Sequence, residues 1–552
     1  MNDRLLTILA WLAAGLCLLP VVAVALAAAT GTLDAWRSLA ETVLPRFTLT
    51  TLALVAMVSA GTGVIGTGTA WLVTTCRFPG ARLLEVLLAL PLAFPAYVLA
   101  YAYTNLLDHP GAVQTWLRAV TGWGPRDYWF PEIRSLGGAA LMLVLVLYPY
   151  VYLLARAAFL QQSFGGYLAA RVLGHGPWRA FFRVSLPMAR PAIAGGVLLT
   201  VMETIADFGT VAHFGVQTFA TGIYQAWFAF GDRTAAAQLA LCLLGAALVL
   251  ATIERVQRGA AKRYPPRAGA VMTPQVLRGG AAWGATLACA LPVIFGFALP
   301  LLILAEMAVG AEQSLLSARY LGFIRNSLLV ASVAAVVTMA AAVLIGTRAR
   351  LRRTRLNRAM TLIAGLGYAV PGGVIAVGLM VPFAGLDNAL DAWMRASFGV
   401  STGLLFTGSI WVMVLAFMVR FMAAALSAFD TGITTVNPNI DAVARTLGMT
   451  PGGLVRRVHL PLIRTSMVTG LLIVFVDVMK ELPATLILRP FNFDTLAVQA
   501  YRLAADERLQ EAALPSLVIV AFGLVPVVIL CRTLARHAVG RRSAAMAAST
   551  SV

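Results

Sequence analysis

The feature that most constrains this chain is a succession of apolar runs of about 20 residues, each long enough to cross a hydrocarbon core as a helix. Lipid offers no hydrogen-bond partner to an open backbone, so runs of this length in a bilayer have to be helical. Composition agrees: 60% of the 552 residues are hydrophobic and only 12% are charged. A soluble protein of this length needs far more charge to cover its surface. The pattern predicts twelve spans, near 5–29, 49–75, 83–106, 136–156, 191–213, 236–253, 283–305, 326–347, 360–384, 403–424, 466–488 and 513–532. The expected fold class is an all-α integral membrane protein.

A net charge of +19 invites a nucleic-acid reading, but the charge is distributed as a topology signal. Connections between the spans alternate between strongly basic and nearly neutral. The basic set includes Arg348, Arg350, Arg352, Arg353, Arg355 and Arg358 in one loop, and Arg255, Arg258, Lys262, Arg263 and Arg267 in another. Basic connections stay in the cytoplasm, which predicts a multi-pass inner-membrane protein with both termini cytoplasmic. The lipid bilayer is then the expected partner, with attraction to anionic headgroups a secondary effect, and nucleic acid is not expected. Arg4 followed by an apolar run and Ala25-Leu26-Ala27 has the look of a cleavable signal. The run is long for that, and the span at 283–305 is its internal counterpart, so it reads as a retained first helix. Cys17, Cys76, Cys242, Cys289 and Cys531 are scattered singly, without the spacing of a disulfide framework or a metal site.

An internal repeat organises the chain. A shift of 274 residues sets Ala170-Arg171 on Ala444-Arg445, Gly174 on Gly448, Leu186-Pro187 on Leu460-Pro461, and Asp232 on Asp506. Six spans per half is an even number, so both halves enter the membrane in the same sense and form a parallel repeat. The predicted organisation is a first membrane domain at 1–256, a linker at 257–282, a second domain at 283–538 and a tail at 539–552. Two similar bundles about one axis can rock and expose a midline site to either side in turn.

The best-matched part of the repeat lies in the basic connections at about 164–190 and 438–464. The first copy reads Leu168-Ala169-Ala170, three residues, Gly174, nine residues, then Val184-Ser185-Leu186-Pro187. The second reads Ala442-Val443-Ala444, three residues, Gly448, nine residues, then Val458-His459-Leu460-Pro461. This spacing predicts a short amphipathic helix, a glycine that ends it, a second short basic helix and a proline opening the next span. At these residues the chain resembles the permeases of ATP-binding-cassette importers, whose hallmark is this loop. The resemblance implies the type I importer permease fold. It also implies that Ala169, Ala170, Arg171, Gly174, Leu186 and Pro187, with Ala444, Arg445, Gly448, Leu460 and Pro461, couple the membrane helices to two copies of a cytoplasmic ATPase. The family's leading glutamate is replaced by Leu168 and Ala442, and Asp441 stands one residue earlier in the second copy.

A P-loop ends in Gly-Lys-Ser/Thr, and the two lysines of the chain, Lys262 and Lys480, lie in Ala-Lys-Arg and Met-Lys-Glu. The chain is therefore expected to be no enzyme and to bind no cofactor, with ATP and magnesium held by the partner. His175, His213 and His459 are scattered and form no zinc-ligand spacing.

Two spans carry acidic residues well inside them, and they are repeat mates: Glu203 and Asp207 in the fifth, Asp477 and Glu481 in the eleventh. A four-residue spacing puts each pair on one helix face. Ionisable groups at this depth line a pathway or belong to a buried network. As a pathway they attract a cation or a hydrogen-bonding solute; as a network, Lys480 pairs with Asp477 and Asp207 caps a helix break at Gly209. Tyr97, Tyr101 and Tyr103 follow Pro95 in the third span, where an interfacial aromatic belt is the expected reading. Phenolate oxygen is also a hard ligand for ferric iron, which makes Tyr97 and Tyr101 candidate outer-face ligands; any metal would be the transported ion. The stretches Glu203–Val211, Thr221–Tyr224 and Asp477–Thr485 are most similar to ferric-iron-type permeases. That resemblance implies a periplasmic binding protein that delivers the ion. Fused permeases for thiamine and other organic cations look similar. A proton-coupled secondary transporter also has twelve helices in two halves, but it has no use for paired coupling loops.

Overall fold

The computed structural model describes residues 3–162, 170, 172–174, 176–261, 275–311 and 317–549. Eleven helices among the described residues are long and apolar enough to cross a membrane. A bent pair, Ala81–Ala93 with Ala96–Thr121 at 94°, makes a twelfth span when counted as one. In chain order the spans of the first half are α1 Asp3–Ala29, α2 Leu44–Thr75, α3 Ala96–Leu107, α4 Leu136–Gln161, α5 Leu186–Ala206 and α6 Arg233–Ala261. Those of the second are α7 Gly280–Gly310, α8 Ala318–Leu351, α9 Gly372–Phe398, α10 Trp411–Ile433, α11 Leu460–Met479 and α12 Leu509–Ser549. The all-α membrane bundle expected from the apolar runs is the fold observed.

Several span boundaries differ from the apolar runs, and prolines and carboxylates explain why. The runs at 83–106 and 360–384 cross Pro95 and Pro371. Proline lacks the N–H that continues a helix and pushes the preceding residue out of the α region. Each run accordingly breaks into a short helix (Ala81–Leu87 or Arg355–Gly365), a 3-10 turn (Leu90–Ala93 or Leu366–Ala369), and then α3 or α9. The tenth span starts at Trp411, later than the run at 403–424 implies. Asp387 of α9 accepts the amides of Phe406 at 2.9 Å and Thr407 at 2.8 Å, and Asp391 accepts that of Thr402 at 2.8 Å. With those donors satisfied by side chains, the segment settles as a loop.

Close helix crossings rest on small residues, as membrane packing requires. The repeat mates Gly196 and Gly470 take the same part. A Cβ on Gly196 would stand 2.7 Å from the Val151 backbone in α4, and one on Gly470 would stand 2.6 Å from Ala428 in α10. The two sequence halves do not pack as separate bundles. Helix α1 lies against α8 and α9, and α6 reaches α9 as well, whereas α7 and α12 pack against α3 and the turn Leu90–Ala93. Tyr103 donates to the Phe295 carbonyl of α7 at 2.7 Å. Each half therefore lends its first and last spans to the core of the other, and one continuous apolar core runs through both.

Candidate functional site

Both helices that carry acidic residues stop part-way and restart. Helix α5 ends at Ala206, and a short helix Gly209–His213 follows; α11 ends at Met479, and Pro483–Leu488 follows. The second member of each acidic pair is the cap of the restart. Asp207 accepts the amides of Thr210 at 3.2 Å and Val211 at 3.1 Å and the Thr210 hydroxyl at 2.9 Å. Glu481 accepts the amides of Ala484 at 3.0 Å and Thr485 at 3.3 Å. These are donors that a helix start leaves without intrahelical partners. Glu481 is also paired with Arg420 of α10 at 3.7 Å. Arg420 is a site residue that span counting passes over. Its signal is a single base at depth in the run 411–433, and proximity to the basic connections hides it.

The first members, Glu203 and Asp477, face the interior and keep partial exposure. Asp477 pairs with Lys480 at 3.1 Å, and Glu203 accepts from the Tyr368 hydroxyl at 3.4 Å. Tyr368 belongs to the turn before α9, and Tyr150 of α4 lies within electrostatic reach of Glu203, Tyr368, Asp477 and Arg420. One cluster at the contact of the two halves thus joins Glu203, Asp477, Tyr150, Tyr368, Arg420 and Lys480. The capping of Gly209 and the pairing of Lys480 with Asp477, both features of a structural network, are present, and Glu203 and Asp477 are only partly buried.

The tyrosines of α3 do not form an interfacial belt. Tyr97 is 5% exposed and Tyr101 is fully buried, so neither is open to solution as an outer-face ligand. The reason is the break at Pro95, which starts α3 inside the bundle rather than at its rim. Tyr97 donates to the Lys480 carbonyl at 3.4 Å and packs on Gly209. Tyr224 donates to the Pro483 carbonyl. The restart of α11 is thereby held by two side chains of the first half, while Gly209 at the restart of α5 lies against Tyr97 of its own half and Leu482 of the other.

On the basic face, Ala169 and Arg171 lie outside the described residues. Their neighbours show the expected two-fold likeness. Ala170 and Ala444 are buried, while Leu173 and Leu447 are 77% and 75% exposed. Gly174 and Gly448 take φ of +84° and +74°, a left-handed conformation that glycine adopts without a Cβ penalty. Past the glycines Pro187 and Pro461 open α5 and α11 as expected, but the second short helix, Pro177–Ala180 or Pro451–Leu454, is joined to the span rather than separate from it. Phe181–Ser185 and Val455–His459 are π turns that run directly into α5 and α11. Pro187 and Pro461 have no N–H to give to the carbonyl four residues back, and a widened turn relieves the clash. Leu186, Pro187, Leu460 and Pro461 therefore sit at continuous joints, so a push on residues 177–185 or 451–459 travels along one rod. Arg445 stands on the short helix Pro438–Thr446.

On the opposite face Arg134 of the first half grips Glu507 of the second through two hydrogen bonds of 2.7 Å and also reaches Asp108 at 2.9 Å. The Arg134 guanidinium holds the Glu507 carboxyl below the usual carboxylate range. A cavity of about 450 Å³ opens nearby between Trp227, Phe228 and Arg233 of the first half and Leu486, Arg489 and Phe491 of the second.

Residues 63–260, and again 339–543, match the family model of the binding-protein-dependent transport system inner membrane component. The chain is 25% identical to Fe(3+)-transport system permease protein FbpB 2 of Haemophilus influenzae over 494 residues, covering 87% of this chain and 88% of that one. It is 29% identical to molybdenum transport system permease protein ModB of Escherichia coli over 33% of this chain and 79% of that one. With sulfate transport system permease protein CysW of Escherichia coli it shares 33% identity over 27% of this chain and 48% of that one.

Proposed function

The chain belongs to the binding-protein-dependent transport system inner membrane components, the permeases of ATP-binding-cassette importers, and from that premise we propose that its cargo is ferric iron. In this reading a periplasmic binding protein delivers the ion to the bacterial inner membrane. Two copies of a cytoplasmic ATPase, docked on residues 164–190 and 438–464, drive its passage. The observation that carries the reading is the charge of the midline: among the described residues four carboxylates, Glu203, Asp207, Asp477 and Glu481, are set against two paired bases, Arg420 on Glu481 and Lys480 on Asp477. A net acidic interior lowers the energy of a cation in low dielectric and raises that of an oxyanion. This separates the chain from the molybdenum and sulfate permeases to which parts of it are similar. Phenol oxygens of Tyr150 and Tyr368 add hard donors beside Glu203.

The mechanism follows from the joints. Closure of the ATPases pushes the π turns ahead of α5 and α11, those rods tilt, and their restarts at Gly209 and Pro483 separate. The Arg134–Glu507 grip opens on the far face, next to the loops 214–235 and 489–511 where the binding protein docks. Cargo then passes between α5 and α11 along Glu203 and Asp477. Vesicles that hold the permease with its ATPases and binding protein should take up radiolabelled ferric iron only when ATP is supplied. Transport of thiamine or molybdate in its place, or uptake driven by a proton gradient without the ATPases, would overturn the assignment.

A further inference from the structure

Three charged side chains from three elements close on one another beneath the second half. Arg350, at the end of α8, donates from Nε to Asp441 Oδ2 at 2.5 Å. Its other nitrogens donate to the carbonyls of Ile433 at 2.6 Å and Val436 at 2.8 Å, which satisfies the end of α10. Asp441 stands on the short helix Pro438–Thr446 and accepts from His459 Nε2 at 2.8 Å, one residue before α11. His459 is fully buried and Asp441 is 4% exposed. Asp441 thus faces into the protein and is not offered to a docked ATPase in place of the missing glutamate. Groups this buried hold their geometry tightly, because moving one member leaves the others without partners.

The first half is built differently at the same place. The repeat mate of His459 is Ser185, whose carbonyl accepts from Gln162 Nε2 at 2.9 Å. The mate of Asp441, Tyr167, lies outside the described residues. The turn Phe181–Ser185 is seated by aromatic rings, with Trp71 at 4.7 Å from Phe181 and 5.5 Å from Trp178. A buried pair does exist nearby, but Arg156 and Glu85 tie α4 to the helix Ala81–Leu87. Ring contacts tolerate sliding, whereas a guanidinium–carboxylate–imidazole chain is directional.

We propose that Arg350, Asp441 and His459 form a positioning joint that binds the second coupling helix to α8, α10 and α11 at once, so that the second half is driven rigidly and the first compliantly. This rests on the reading that residues 438–464 bear on an ATPase. The full chain with its two ATPases, in lipid discs, is compared as wild type, D441N and S185A by amide hydrogen exchange and by cargo moved per ATP hydrolysed. In D441N, exchange over 438–446 should rise about tenfold while α9 is unchanged. Uptake per ATP should also fall about tenfold while hydrolysis continues. S185A, in the matching turn of the first half, should leave exchange over 438–446 within about twofold of wild type. Unchanged exchange over 438–446 in D441N, or equally faster exchange there in S185A, overturns the joint. Should D441N loosen α9 too, R350K keeps the charge but loses the fork: faster exchange confined to 438–446 supports the joint, and none there overturns it. The exchange arm needs no cargo, so a wrong cargo would show in wild-type uptake and leave the test of the joint intact.

Discussion

Asp207 and Glu481 occupy matching places in the repeat with Glu203 and Asp477, yet the two pairs do different work. The first two hold helix starts; the second two lie one turn before the breaks, on the proposed pathway. Replacing Asp207 or Glu481 by alanine should cost about 1–2 kcal/mol through the lost cap and lower the melting temperature of the purified permease. E203Q and D477N should leave melting nearly unchanged and reduce ferric-iron uptake. Equal melting in all four variants would remove the distinction. Gly174 and Gly448 make a second residue-scale case. Among the described residues nothing stands within 4 Å of a Cβ built on either, so the left-handed backbone is what a substitution acts through. Alanine at both should cost roughly 1–2 kcal/mol per position and reduce uptake per ATP. Asparagine, which tolerates this conformation, should recover most of it, as a transport assay would show. The repeat made all six positions legible as a set. Asp207 as a cap at Gly209 and Lys480 as the partner of Asp477 were legible as one of two readings; the cap at Glu481 was not, because a four-residue spacing puts both carboxylates on one face and only the break after Met479 turns them apart.

At the scale of elements, the transmitting parts are two rods with a widened turn. Apolar length alone starts spans after Pro187 and Pro461 and runs them across Pro95 and Pro371. The structure instead carries helix through Pro187 and Pro461, since a π turn absorbs the missing donor, and breaks it at Pro95 and Pro371, where the turn before each proline is already extended. The grip between Arg134 and Glu507 is the element contact with a pH signature. Its carboxyl is held below the ordinary range in the folded protein, so its contribution is complete above the ordinary glutamate value of about 4.3 and fades as pH falls through the depressed one. Between pH 7 and pH 5 the grip should not change. E507Q should loosen it at every pH and raise ATP hydrolysis in the absence of binding protein. If hydrolysis in E507Q is the same as in wild type, the grip is no barrier to opening.

For the whole molecule, the exchange of end helices between halves matters most. Gly378 of α9 lies so near the Pro20 backbone of α1 that a side chain there would separate them, and α7 and α12 enclose α3 in return. Halves that enclose each other's cores should not be stable alone. Residues 1–256 and 283–552 expressed as two chains should co-purify and transport when made together. Either half made alone should be degraded or aggregate. A stable, monodisperse half would contradict the interlaced core. Rocking as proposed above sets α2–α5 against α8–α11, each carrying two borrowed helices along.

What the amino-acid sequence determined by itself was the apolar solvent, the number of spans, the repeat, and the family to which the paired loops belong. Those follow from hydrophobic length, charge asymmetry and spacing, which are properties of the chain in one dimension. Tertiary structure alone decided that Tyr97 and Tyr101 are buried, that Arg420 answers Glu481, that Asp441 turns inward to Arg350 and His459, and that the halves interlace. Each of these depends on which helix faces which across hundreds of residues. Spans of nearly uniform apolarity carry little information about their neighbours, because in lipid every face of a helix is equally content until a small residue or a buried charge selects one.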